Sequence, residues 1–247
     1  RAESILDALR TGQVDALVGE ESVYVVRLQA VAKEARRQHA VIAGINRIFR
    51  EALSSESEQE IGLTCLAVAE ELTSSEYGFI GELDGYGSMT GIVISRTGIA
   101  PCRMGEPPKT SPRGGFPLRG VYGSILEGGE SLRINRPSLH PEGLRLPQGH
   151  PPIRSLLGVP LIQGDGVFGM IAVANREGGY RRQDQACLED LAPAVVQAYL
   201  KKRAEREIRH LLEEREAEVR SRTAQVHLQA EELRRKNIQL ENEVYKR

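Results

Sequence analysis

Three side chains in this sequence have the chemistry to hold a metal or to meet an oxidant: Cys102, His140 and His150. Cys102 falls in residues 97–120, a stretch rich in Pro, Gly and Arg without helical or strand periodicity. The two histidines fall in a second polar stretch, SLHPEGLRLPQGHPPIR. Connections this long in a compact domain tend to carry function or to stay unstructured. Cys and His in one pocket could ligate a haem iron or another metal. Cys102 alone could act as a redox-sensing thiol, because Arg103 and Arg113 nearby favour the thiolate. Pro151 and Pro152 fix the backbone after His150, which equally suits an imidazole bonded to main chain at a strand entrance. No CxxCH and no repeated His spacing decides among these roles, so the metal and the cofactor stay unknown.

Other chemistry is poorly represented. The chain has no GxSxG, no P-loop, no HExxH and no Gly-rich dinucleotide loop. Its 33 basic and 34 acidic residues leave a net charge of −1, which gives no electrostatic footprint for nucleic acid. No apolar run is long enough to span a bilayer. The cysteines, Cys65, Cys102 and Cys187, are odd in number and lack CxxC spacing, which fits a reducing cytoplasm better than a disulfide framework. The first residue is Arg1, so the 247 residues are expected to be a piece of a longer chain.

The candidate residues need a scaffold, and the sequence centres it on one hairpin. SLLGVPLIQ and VFGMIAVANR are Val/Ile/Leu-rich runs on either side of Gly164, Asp165 and Gly166, a strong hairpin pattern. YGFIGELDG and SMTGIVISRTG form a second antiparallel pair, Val121 to Glu127 a short helix, and Ser131 to Asn135 another strand stopped by Pro137. Upstream, residues 1–22 are expected to be the remnant of a junction, with a short helix closed by Gly12 and a short strand in VDALVG. From Tyr24 to Leu53, Leu28, Val31, Ala35, Gln38, Ile42, Ile45, Phe49 and Ala52 recur at spacings of three and four, as in a bundle seam. Ser54 to Ser57 break that helix. A second helix to about Ser74 places Ile61, Cys65, Val68 and Leu72 on one face, with Cys65 a small core hydrophobe.

After Gly178 and Gly179 a helix starts near Gln183 and shows no stop before Arg247. One heptad frame runs through it. Leu191, Leu212, Val219, Val226, Leu233 and Leu240 lie at d positions, and Asn237 lies at an a position, where Asn fixes register in parallel dimers. These residues are read as a dimer seam, interrupted by charges at the a positions Lys202, Arg209 and Glu216. Pro193 should kink the helix unless the helix proper starts just before it.

From about Glu56 to Arg203 the chain resembles a GAF domain of a bacterial or archaeal multi-domain sensor histidine kinase. The resemblance rests on CLAVAEELTSSEYGFIGEL, on GHPPIRSLLGVPLIQGDGVFGMIAVANREGGYRRQDQACLEDLA and on the tripeptide CRM at Cys102. It implies an α+β fold: a central antiparallel sheet of five or six strands, helices from both ends on one face, and a loop-covered pocket on the other. It also implies long N- and C-terminal signalling helices that join the domain to a PAS domain or a kinase core. Cyclic-nucleotide GAF domains carry Asn-Lys, Phe and Asp-Glu where this chain has Asn175-Arg176, Tyr180 and Asp184-Gln185. The layout matches and three residue types differ, which argues against a nucleotide ligand. By the same resemblance Arg176 and Asp184 form an ion pair, a structural lock between the last strand and the final helix.

The domain organisation expected is therefore a junction at 1–22, a signalling helix at 23–53, a GAF domain at 54–203 and a coiled-coil helix at 204–247. No phosphoacceptor pattern surrounds His210 or His227, so any kinase core lies outside this chain. The expected function is a cytoplasmic sensory module that binds a small ligand or senses redox state and relays it through a parallel homodimer. Two alternatives stand beside it: an enzyme of the free-methionine-sulfoxide reductase type, which needs two pocket thiols, and a dimerisation spacer with an empty pocket.

Overall fold

The computed structural model describes residues 16–18, 23–25, 28–84, 88–95, 116–117, 120–140 and 150–245. The elements are β1 Ala16–Val18, β2 Val23–Val25, α1 Leu28–Ser54, α2 Glu58–Thr73, β3 Tyr77–Leu83, β4 Ser88–Ile94 and β5 Phe116–Pro117. They continue with α3 Val121–Gly128, β6 Leu132–Ile134, a 3₁₀ turn Pro137–Leu139, β7 Leu156–Gln163, β8 Gly166–Ala174 and α4 Arg182–Tyr245. The chain divides into two compact units, one ending at Tyr199 and one beginning at Leu200.

The expected hairpin is the centre of the first unit. Gln163 pairs with Gly166, so Gly164 and Asp165 alone make the turn. Gly164 has φ 59°, a conformation open to Gly without a steric cost. The six-stranded antiparallel sheet has the order β5-β4-β3-β8-β7-β6, with β8 between β3 and β7. Partners on β8 skip from Gly169 to Val167, which leaves Phe168 as a bulge residue. The extra residue turns Phe168 toward Tyr199 of α4, at 6.4 Å between ring centroids.

Alternation along the strands sorts side chains onto two faces. Leu157, Val159, Ile171 and Val173 are buried on the face covered by the helices, with Ile61, Cys65 and Leu66 of α2 and Leu188, Leu191 and Val195 of α4. Tyr77, Leu156, Met170, Ala172 and Ala174 are buried on the other face, under Val121, Ile125 and Leu126 of α3. The fold is thus the α+β arrangement that the sequence implies.

Local chemistry sets the element ends. Ser57 caps α2 by accepting from Glu60 N at 3.2 Å, and Glu60 Oε2 accepts from Glu56 N at 3.3 Å, one residue before the cap, a variant of the capping box. Ser74 closes the helix with φ 53°.

Four expectations need correction. Val23–Val25 is a strand paired with Ala16–Val18, so the first long helix begins at Leu28 and not at Tyr24. The residues of α1 that meet the domain are Val41, Gly44, Ile48 and Ala52, while the seam residues Val31, Ile42 and Phe49 remain exposed. Gly44 is the reason: a Cβ there would lie 2.6 Å from Val68, so only Gly lets α1 approach α2 along that line. Leu191 does not belong to a dimer seam. It is wholly buried in its own domain, as are the neighbouring heptad positions Leu188, Val195 and Ala198. Finally, α4 continues through Pro193, eleven residues inside its start. Pro193 is exposed while Ala192 and Ala194 beside it are buried, so packing on the sheet holds this turn helical despite the missing donor.

Candidate functional site

The sheet face under α3 is the expected ligand side. Its described part is filled by side chains from close range. A Cβ at Gly158 would meet Ile125 Cδ1 at 2.5 Å, and one at Gly81 would meet Met89 Sδ at 2.3 Å. Phe79 and Tyr122 meet edge to face, with centroids 5.5 Å apart and planes at 82°. Burial pushes the Tyr122 phenol well above its ordinary range, so it acts here as a neutral ring.

Of the three expected site residues, Cys102 lies outside the described residues. His140 follows the 3₁₀ turn, and its backbone N–H donates to Pro137 O at 3.2 Å. Its Nδ1 is buried and has no hydrogen-bond partner among the described residues. His150 Nδ1 donates to Pro151 O at 2.6 Å, the main-chain bond open to it in the sequence. That bond fixes the tautomer and leaves Nε2 as an acceptor. Among the described residues no group of three His, Cys, Asp or Glu side chains is placed to hold a metal ion. Cys65 in α2 and Cys187 in α4 are buried on the helix side, and burial pushes the Cys65 thiol up to about 12.

The motif from Asn175 to Asp184 builds a second, more elaborate site at the joint between β8 and α4. Asn175 sits at φ 63°, which Asn tolerates better than most residues. Its Oδ1 accepts from Arg154 N at 2.7 Å, and its Nδ2 donates to Glu76 Oε2 at 2.9 Å and Pro152 O at 3.0 Å. Glu76 also pairs with Arg154. Arg176 Nε is 3.3 Å from Asp184 Oδ2, while its Nη1 donates to Gly179 O at 2.8 Å and Glu177 O at 3.2 Å. Nε itself makes no hydrogen bond of good geometry, so the attraction to Asp184 is Coulombic. Asp184 takes its short bond from Arg181 N, at 2.6 Å, and so caps the first turn of α4.

Tyr180 is the hub that residue patterns do not reveal. Its ring is buried, its hydroxyl bonds Ser75 Oγ at 2.8 Å, and Ser75 bonds Thr73 Oγ1 at 2.6 Å. Thr73 Oγ1 spends its one proton on Ala69 O, at 2.6 Å. Each hydroxyl has a single proton, so the order is fixed: Tyr180 donates to Ser75, which donates to Thr73. Asn135, from the end of β6, holds the Tyr180 backbone from the other side. Its Oδ1 accepts from Tyr180 N at 2.7 Å and its Nδ2 donates to Tyr180 O at 3.0 Å.

A small cleft of about 120 Å³ lies at the start of α4, lined by Lys33, Glu34, Arg37, Gln183 and Cys187 among others. Arg37 fills its wall. It bonds Glu34, donates to Asp190 Oδ2 at 3.1 Å, and points Nη1 at Cys187 Sγ at 3.6 Å. The Glu34 carboxyl is held below its usual range by these Arg37 bonds.

A layered antiparallel sheet with terminal helices on one face and a short helix on the other, closed by an Asn-Arg…Tyr…Asp joint, defines a GAF domain. The profile of the GAF domain matches residues 55–198, more than half of the chain, and the chain belongs to that family, a fold of sensory and signalling modules. Solved structures agree on the fold. The GAF domain of a phosphoenolpyruvate-protein phosphotransferase from Coxiella burnetii is similar with a TM-score of 0.54 at 16% identity, over 68% of this chain and 96% of that one. The corresponding Acinetobacter domain gives 0.51 at 17% identity, over 68% and 97%. A putative GAF sensor protein from Burkholderia vietnamiensis gives 0.50 at 15% identity, over 68% and 98%.

Proposed function

We propose that this chain is the cytoplasmic sensory GAF module of a two-component sensor histidine kinase, relaying ligand binding or redox state through a dimeric coiled coil. One observation carries the reading. A single helix, α4, begins among buried core residues of the GAF domain and continues for 64 residues. Its later d positions, Leu212, Val219, Val226, Leu233 and Leu240, are 58–62% exposed along an otherwise charged helix. An isolated helix gains nothing from such a stripe, whereas a second copy would bury it. The domain organisation proposed is a junction at 1–22, signalling helices at 23–53 and 204–247, and the sensor at 54–203. The seam proposed for the dimer excludes Leu191 and keeps Leu212, Val219, Val226, Leu233, Asn237 and Leu240, with a PAS domain or kinase core following in the parent.

The methionine-sulfoxide reductase reading has less support. Cys65 and Cys187 are both buried on the helix side of the sheet, away from the α3 face on which the pocket is expected, so neither is placed to act as a pocket thiol. The ligand candidates remain Cys102, His140 and His150, and His140 Nδ1, without a partner among the described residues, is the described atom best suited to accept a ligand bond.

The test has two arms. Sedimentation at micromolar concentration should give a dimer, and Val226→Cys should cross-link to its own equivalent, located by mass spectrometry. A monomer, or cross-links only to distant positions, removes the relay. Absorption spectra of the purified protein and of Cys102→Ala, His140→Ala and His150→Ala address a haem directly. In the full parent, a seven-residue deletion within 215–222 should keep regulated output and a four-residue deletion should lock it, since only the former nearly restores helix phase.

A further inference from the structure

The segment from Asn135 to His140 follows β6, the edge strand of the sheet next to β7. Ile134, which leads into it, is buried in the cluster under α3. Pro137 is buried in the 3₁₀ turn that follows, and His140 ends it, its Nδ1 without a partner among the described residues. Yet Asn135 reaches across to the joint that starts α4, where its carboxamide pairs with the Tyr180 backbone through two hydrogen bonds, as one strand residue pairs with another. The contact is close. A Cβ at Gly179, φ 78°, would lie 2.7 Å from Asn135 Cγ.

From Tyr180 the connections divide. The hydroxyl chain leads through Ser75 and Thr73 to the last turn of α2. The backbone leads within four residues to Asp184, which caps α4 and faces Arg176. Both branches end on the helix layer, and Asn135 ties them to the end of β6 and the turn that follows it.

We propose that Asn135 is the strut through which a change in the 135–140 turn is passed to the first turn of α4. A turn that shifts by even part of an ångström must carry the carboxamide with it. Two hydrogen bonds and a van der Waals contact then act on the Tyr180 peptide from one rigid group. The coupling is a property of the fold and needs no ligand to be identified. It therefore stands or falls separately from the sensor reading.

Hydrogen exchange on the intact chain tests it. Asn135→Ala should speed exchange of the Tyr180 amide about tenfold, the equivalent of one lost hydrogen bond. Asn135→Asp keeps the acceptor for Tyr180 N–H and should speed it less, which guards against an Ala variant that folds poorly. The decisive comparison uses Pro137→Ala, which relaxes the turn. In the native background it should speed exchange from Tyr180 to Gln185. In the Asn135→Ala background it should alter the turn's own amides and leave those of α4 as they were, and in the Asn135→Asp background, which keeps one of the two bonds, the effect on α4 should be reduced. If Pro137→Ala leaves α4 unchanged in the native background, or moves it equally with and without Asn135, the strut does not exist.

Discussion

Arg176 Nε lies 3.3 Å from Asp184 Oδ2, with only 18% and 13% of the two side chains exposed, and yet neither depends on the other alone. Arg176 keeps two carbonyl partners and Asp184 keeps the Arg181 amide. Arg176→Ala therefore falls between an exposed pair and a fully buried one, with an expected loss of roughly 1–3 kcal/mol. A double-mutant cycle with Asp184→Asn, read by urea denaturation, should show positive coupling. Strict additivity would mean that the two side chains do not interact.

The fixed order of the hydroxyl chain makes two substitutions unequal. Tyr180→Phe removes the first donor and leaves Ser75 an unfilled lone pair, at a cost of about 0.5–1.5 kcal/mol. Ser75→Ala leaves the buried Tyr180 O–H with no acceptor and should cost more, roughly 1–3 kcal/mol. Thermal unfolding of the two variants side by side gives the order, and a costlier Tyr180→Phe would reverse the assigned direction.

Asn175→Asp changes one atom type and places a carboxylate against Glu76, whose Oε2 now accepts from Asn175 Nδ2 at 2.9 Å. Two carboxylates at that distance resist joint ionisation. The variant should be markedly destabilised at neutral pH and recover as pH falls through the carboxylate range. Stability measured from pH 7 to 4 should show this recovery relative to the native chain, and a constant deficit would rule out the repulsion.

Cys65 gives a pH dependence of the same sign in the alkaline range. Burial raises its folded pKa to about 12 from 9.0, so the folded state holds the proton more tightly than the unfolded chain. Its contribution is complete below pH 9 and is lost as pH climbs toward 12. Tyr180, raised mainly by burial, adds to the same alkaline loss. Denaturation midpoints should fall across this window, and Cys65 should resist alkylation at pH 8 until the domain unfolds.

The sheet was legible because its signals are local. Alternating apolar runs around Gly164 and around the DG after Leu83 specify hairpins without reference to the rest of the chain. The two faces of α1 were not, because which apolar line meets the domain depends on Gly44, a residue that hydrophobic periodicity ignores. Leu191 shows the same limit. A heptad d position and a buried core position on a domain-packed helix have the same spacing, and only the location of the sheet separates them. The site was half legible. Asn175, Arg176 and Asp184 stood out by resemblance, but Asn135, Ser75 and Thr73 reach Tyr180 from distant segments, and no sequence spacing announces a contact of that kind.

The pairing of β3 with β8 joins Tyr77 to Ala174 across nearly a hundred residues of chain. Closing a long segment costs free energy only as the logarithm of its length, about 0.6 kcal/mol for each doubling. Lengthening the chain between β3 and β8 therefore costs little in closure entropy. The joint from Asn175 to Asp184 has no such freedom, since its side chains and backbone are held by specific bonds to Glu76, Pro152, Asn135 and Arg181. Evolution can retune what this domain meets far more easily than how it is wired to α4.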